Sequence, residues 1–208
     1  MAQTVDLTPR KLPQRAHGKA SFEAVVEGCA RLLRDDGPLG LSTNAIADRA
    51  GVGIGTVYEF FPNKEAIVAQ VAERALGELF AEMERAAEEG VKLPVRDGTH
   101  LWLSRVTDHL ARDRELYRII FREVDYLRDL PAMIEAEKRF TDLVRTVRDR
   151  ISSKVRLRDV KVQTWLITRL LYAIVFELAF AEDETLDREA VIAEYVRVGL
   201  LMVETAQD

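Results

Sequence analysis

Between Leu41 and Lys64 the chain gathers two threonine hydroxyls, a phenol, an ammonium and three glycines at short intervals. Hydroxyl, phenol and ammonium groups donate hydrogen bonds to anionic oxygens. Gly53 and Gly55 leave room for backbone to approach a phosphate, at a helix start that favours anions. Thr43, at the start of the preceding helix, is suited to the same contact. Ile54 and Thr56 are short enough to meet base edges or a thymine methyl. Tyr58 and Lys64 suit backbone phosphates, contacts that position a protein on a duplex while base contacts specify the site. Glu59 either accepts from a cytosine amine or faces water, and Phe61 is expected to pack rather than to wedge between bases. The combined chemistry is that of reading double-stranded DNA.

Those side chains need a rigid frame, and the same stretch supplies one. Ser42 or Thr43 can cap a helix running to Ala50. Gly51 stands where a turn must take a positive φ, and a second short helix spans Ile54 to Phe60. Ile46, Ala50, Val52, Val57 and Phe60 occupy its inward positions, and Ala47 is the small residue at the crossing. This is a helix-turn-helix, whose second helix enters a major groove. An ordinary helical hairpin with a glycine turn is the plainer alternative. Gly51, Gly53 and Gly55 faintly mimic a nucleotide-binding loop, but they follow a helix rather than a strand.

The surrounding sequence is helical nearly throughout, so the expected fold is all-α. Residues 1–18 read as a flexible basic arm with Arg10, Lys11 and Arg15. A first helix covers Ala20–Arg34, and Asn63 can cap a long one reaching Glu89. Further helices are expected over Thr99–Arg112, Arg114–Tyr126, Pro131–Ser152, Asp159–Ala181 and Asp187–Ala206. The division expected is a DNA-binding domain over 19–64 and an effector-binding and dimerisation domain over 65–208, bridged by the helix 64–89. The glycine-bounded stretch Gly90–Gly98 reads as the connection between a small unit and a larger one.

With 208 residues, 48% apolar and 31% charged, the chain can build a substantial core. No run of 18 apolar residues suggests a membrane span, and no apolar leader is evident, so a cytoplasmic location is expected. The net charge of −5 looks wrong for a DNA binder, but its distribution helps. Nine basic and nine acidic residues balance up to Leu76, and the whole deficit lies beyond it. Cys29 shares an apolar helical stripe with Phe22, Val25 and Leu32 and is read as core. No nucleophile elbow, P-loop or H-E-x-x-H motif occurs, and His17, His100 and His109 are scattered. No enzyme activity, cofactor or metal site is expected.

The segment from Lys19 to Leu76 resembles the DNA-binding domain of TetR-family transcriptional regulators. The residues that carry the likeness are Leu41-Ser42-Thr43, Ile46 through Val52, Gly55-Thr56-Val57-Tyr58, and Phe61-Pro62-Asn63-Lys64-Glu65. The resemblance implies that Thr43, Tyr58 and Lys64 hold phosphates. Gly53-Ile54 departs from the family pattern, where a serine and then a polar residue are common, and this implies a more apolar reading of the groove.

Trp165 to Phe180 is apolar on nearly every side, so that helix must be covered all round. With the final helix it can pair with a second subunit, through Ile174, Leu178, Val191, Tyr195, Val198 and Met202. A two-fold dimer would offer two recognition helices to a palindromic operator. A monomeric core is the alternative. The family resemblance also implies dimerisation, and a small-molecule pocket among the middle helices. Its candidate lining is Trp102, His109, Phe121, Tyr126, Met133, Phe140, Trp165, Tyr172 and Phe176, each of which also fits simple core packing. Arg169 and Glu177 interrupt the apolar helix and must be paired, hydrated or functional. The expected function is a DNA-binding regulator, a repressor released by a small hydrophobic effector. A protein-interaction module of the same fold that does not bind an operator is the competing reading.

Overall fold

The computed structural model describes residues 5–180 and 187–202, together with the backbone of 204–205. Helices α1 (Ala16–Asp36), α2 (Thr43–Ala50), α3 (Ile54–Phe60) and α4 (Lys64–Gly90) come first. They are followed by α5 (Val95–Arg112), α6 (Arg114–Arg118), α7 (Pro131–Arg150), α8 (Val160–Phe180) and α9 (Arg188–Leu201). Between α6 and α7 the chain passes through a π-helical turn, Ile119–Glu123, and a tighter 3-10 turn, Asp125–Asp129. The all-α architecture is the one expected. A two-residue antiparallel bridge is added, with β1 (Val155–Arg156) facing β2 (Glu204–Thr205). A bridge that short leaves no alternating pattern to read.

The helix ends follow local chemistry. Ser42 accepts from the Ala45 amide at 3.1 Å and caps α2. Gly51 ends α2 at φ 68, the left-handed conformation that glycine enters without a Cβ penalty. Asn63 Oδ1 accepts from the Ala66 amide at 2.7 Å and caps α4.

The chain forms two compact units. One comprises Met1–Gly77 and Glu115–Ile134, the other Glu78–Arg114 and Glu135–Asp208. The boundary thus falls inside α4 rather than at residue 64, and α6 with its two irregular turns belongs to the N-terminal unit. Tyr117 explains that return: its hydroxyl donates to the Ala75 carbonyl of α4 at 3.0 Å, fully buried.

The core of the N-terminal unit is aromatic and aliphatic. Phe22 of α1 stacks on Phe61 with ring centroids 4.8 Å apart and meets the edge of Phe60 at 5.6 Å. Cys29 is wholly enclosed, and burial pushes its thiol up to about 12, so it packs as a small apolar residue.

In the second unit α5 packs on α8 and α9. The Trp102 indole donates to the Met83 carbonyl of α4 at 3.0 Å. Burial works to raise the Glu82 carboxyl, but hydrogen bonds from Arg85 and Arg105 outweigh it and hold the group below its usual range.

Gly90 and Gly98 lie within this second unit and do not link the two. Here the end of α4 crosses the first turn of α5 so closely that a Cβ on Gly98 would overlap the Gly90 carbonyl oxygen. α5 begins at Val95, four residues earlier than expected, with the Gly98 amide donating to the Pro94 carbonyl at 2.9 Å. At that crossing, Gly98→Ala should therefore cost about 1–3 kcal/mol through overpacking. A thermal melt checks it, and an unchanged midpoint would contradict the crossing.

Candidate nucleic-acid interface and apolar cavity

The helix-turn-helix brings its polar side chains together on one face. Ile46 and Val57 are fully buried and Phe60 nearly so, which fixes α2 and α3 onto α1. On the opposite side Gly53, Ile54, Gly55, Tyr58 and Glu59 are exposed, and Thr43 and Thr56 are partly so. Tyr58 is 44% exposed and Ile54 38%, enough for both to reach a partner. The Thr43 hydroxyl and the Tyr58 phenol share a hydrogen bond at 3.1 Å. That contact joins the start of α2 to the exposed side of α3. Lys64 donates to the Leu41 carbonyl at 2.9 Å, anchoring its ammonium beside the chain leading into α2, with further donors to spare. Phe61 is buried and stacked, so it is a packing residue.

Sequence reasoning missed three residues at this site. The Arg10 amide donates to the Phe60 carbonyl at 2.7 Å, and its guanidinium to the Tyr58 carbonyl at 3.2 Å. Lys11 pairs with Glu59 at 2.5 Å, and the carboxylate, about half exposed, also faces water as expected. Asn63 donates from its amide nitrogen to the Asp6 carbonyl at 3.0 Å while its oxygen caps α4. The arm is therefore tied to the end of α3. No spacing rule reveals a contact across 48 positions of sequence. The only sequence signal was the basic pair itself.

The second unit holds a cavity of about 180 Å³ that is partly open to solvent. Leu93, Val147, Ile151, Leu157, Ile167, Leu171, Val196 and Leu200 dominate its wall, with Gly90 and Gly98 at one side. Its polar side chains are few: Thr99, Trp102, Arg148, Thr164 and Tyr195. The Arg148 guanidinium donates to Thr164 at 3.0 Å and to Asp149 at 2.6 and 2.9 Å.

Of the side chains expected around an effector, Trp102 lines this cavity. Phe140, Tyr172 and Phe176 continue from Trp102 as a row of rings 4.5–6.2 Å apart and are not part of the wall. Trp165 is 61% exposed. His109 is partly buried, and desolvation lowers its pKa. Phe121, Tyr126 and Met133 belong to the N-terminal unit. The wall is instead mostly aliphatic, from the end of α4, from α5, α7, α8 and α9, and from the connections between them.

The family model described as "Bacterial regulatory proteins, tetR family" matches residues 25–71. Residues 25–71 are a TetR-family DNA-binding domain. An HTH-type transcriptional regulator of Staphylococcus aureus is 31% identical over 71 residues, which are 33% of this chain and 37% of that protein. The fold extends much further. A TetR-family regulator from Mesorhizobium loti matches with a TM-score of 0.75 at 18% identity, over 91% of this chain and 99% of its own. The regulator FadR from Bacillus subtilis, solved with stearoyl-CoA, matches with a TM-score of 0.66 at 19% identity, over 88% and 100%.

Within the second unit, α8 and α9 keep much apolar surface uncovered on the single chain. Trp165, Leu166, Leu170, Val198 and Leu201 are all exposed, Leu201 by 74%. Of the residues expected at a subunit contact, Ile174, Leu178 and Val191 are half-buried and Val198 is exposed, while Tyr195 and Met202 line the cavity. Arg169 is paired with Glu137 of α7 at 2.9 Å. By length and composition alone α8 is also apolar enough to cross a membrane. Its Lys161, Arg169 and Glu177, and its packing on α5, argue for a helix at a protein surface.

Proposed function

We propose that this chain is a cytoplasmic, ligand-responsive transcription regulator that binds a palindromic operator as a homodimer. The observation that carries the reading is the joined Thr43–Tyr58 hydroxyl pair with Lys64 beside the start of α2, all on the open side of a sealed helix-turn-helix. These groups are arranged to grip phosphates on either side of α3, while Ile54 and Thr56 meet base edges. The exposed apolar side chains of α8 and α9 support pairing with a second copy. Two heads then meet two half-sites.

The effector in this reading is small and apolar, and its binding releases the repressor from DNA. Apolar cavities of roughly 150 Å³ hold a benzene-sized molecule, so this one accepts a small ring or a short alkyl chain as it stands. The FadR structure with stearoyl-CoA supports a ligand site in this fold.

Gel retardation of duplexes enriched from genomic DNA on the purified chain tests the reading. Affinity should fall steeply with salt, because each neutralised phosphate releases counterions. Tyr58→Phe should weaken binding to all sequences alike, whereas Ile54→Ala should change base preference at the contacted position. Absence of any enriched duplex, or a flat salt response, would end the proposal.

A further inference from the structure

Glu59 is an awkward residue on a surface meant for phosphates. It lies on the exposed side of α3, one position after Tyr58, and a free carboxylate there would repel a duplex. The structure places Lys11 against it at 2.5 Å, with the same ammonium 5.7 Å from the Phe60 ring centroid. Lys11 is held there by its own neighbourhood. The Arg10 amide and guanidinium close on the carbonyls of Phe60 and Tyr58, two of the orphan acceptors at the end of α3. Asn63 holds the Asp6 carbonyl farther up the arm, and Asp6 itself accepts from the Thr8 amide at 3.0 Å and hydroxyl at 2.7 Å, which shapes the turn between them. Pro13 packs beside Gly18 where the arm enters α1.

We propose that residues 5–15 act as a strap that completes the DNA-reading head, in which Arg10 fixes the end of the recognition helix and Lys11 cancels the charge of Glu59 where the duplex docks. The inference rests on the DNA-binding reading above and adds two positioning residues to it. An ion pair this exposed adds little to folding. Its effect lies in the field met by the phosphates, because an unpaired Glu59 would present one extra negative charge to them.

A double-mutant cycle on Lys11→Ala and Glu59→Ala tests this, using random-sequence duplexes enriched on the unaltered chain. Lys11→Ala should weaken binding roughly fourfold, the Boltzmann factor for one unit charge about 5 Å from a phosphate in water. Adding Glu59→Ala to it should restore the affinity, because the liability is then gone. Equal affinities for the unaltered chain and Lys11→Ala, or no recovery in the double variant, would overturn the proposal. So would a Glu59→Ala variant that changes base preference, since Glu59 would then be reading a base. Hydrogen exchange without DNA gives a separate readout: the Arg10 amide should be protected, and exchange at the rate of an open chain would overturn the strap regardless of duplex binding. If the unaltered chain enriches no duplex, the DNA-binding reading fails and the charge-cancelling role fails with it, an outcome distinct from binding that ignores Lys11.

Discussion

Phe61→Ala is expected to remove a large part of the stability of the DNA-reading head. The ring has no exposed surface and stacks on Phe22 at 4.8 Å. Truncating a buried phenylalanine typically costs about 3–5 kcal/mol, from lost transfer energy and the cavity left behind. Against a total stability of about 5–15 kcal/mol, that loss leaves little margin. Urea unfolding followed by far-ultraviolet circular dichroism measures it. Phe61→Leu, which keeps most of the volume, should fall well short of that loss. A ring inserted into DNA would behave in the opposite way, with duplex binding lost and the unfolding midpoint unmoved.

The second large effect concerns association. Leu166→Glu combined with Val198→Glu should leave each chain folded, because both side chains are already substantially exposed, while preventing two copies from meeting across α8 and α9. A charge placed in a buried apolar interface must be desolvated without a partner. Light scattering should then report the mass of a single chain. Affinity for a two-half-site duplex should drop by roughly a hundredfold or more, as the second head no longer benefits from its tether to the first. If the unaltered chain scatters as a monomer at micromolar concentration, the dimer proposal is wrong. If the variant binds DNA undiminished, the two heads do not act together.

The helix-turn-helix was legible because its signals are local. A cap at Ser42, a left-handed glycine at Gly51 and an inward set at Ile46, Val57 and Phe60 each act within a few residues of the backbone they shape. The cavity was much less so. Aromatic residues attract attention in a sequence, yet of those expected around an effector only Trp102 lines the cavity. Phe140, Tyr172 and Phe176 run on from it as a row of tilted and edge-on rings that are not part of the wall, and the wall is built mostly from leucine, valine and isoleucine. Aliphatic residues look alike whether they fill a core or border a void. Only the packing of five helices decides where space remains.

Sequence by itself determined the all-α class, most helix spans, the turn at Gly51 and the polar face of α3, because periodicity, capping and glycine chemistry operate at short range. The tertiary structure decided the pairing of Lys11 with Glu59, the second role of Asn63, the Gly90–Gly98 crossing and the return of residues 115–134 to the N-terminal unit. Each of these depends on which distant segments meet. A charge, an amide or a glycine carries no mark of its partner until the chain has folded around it.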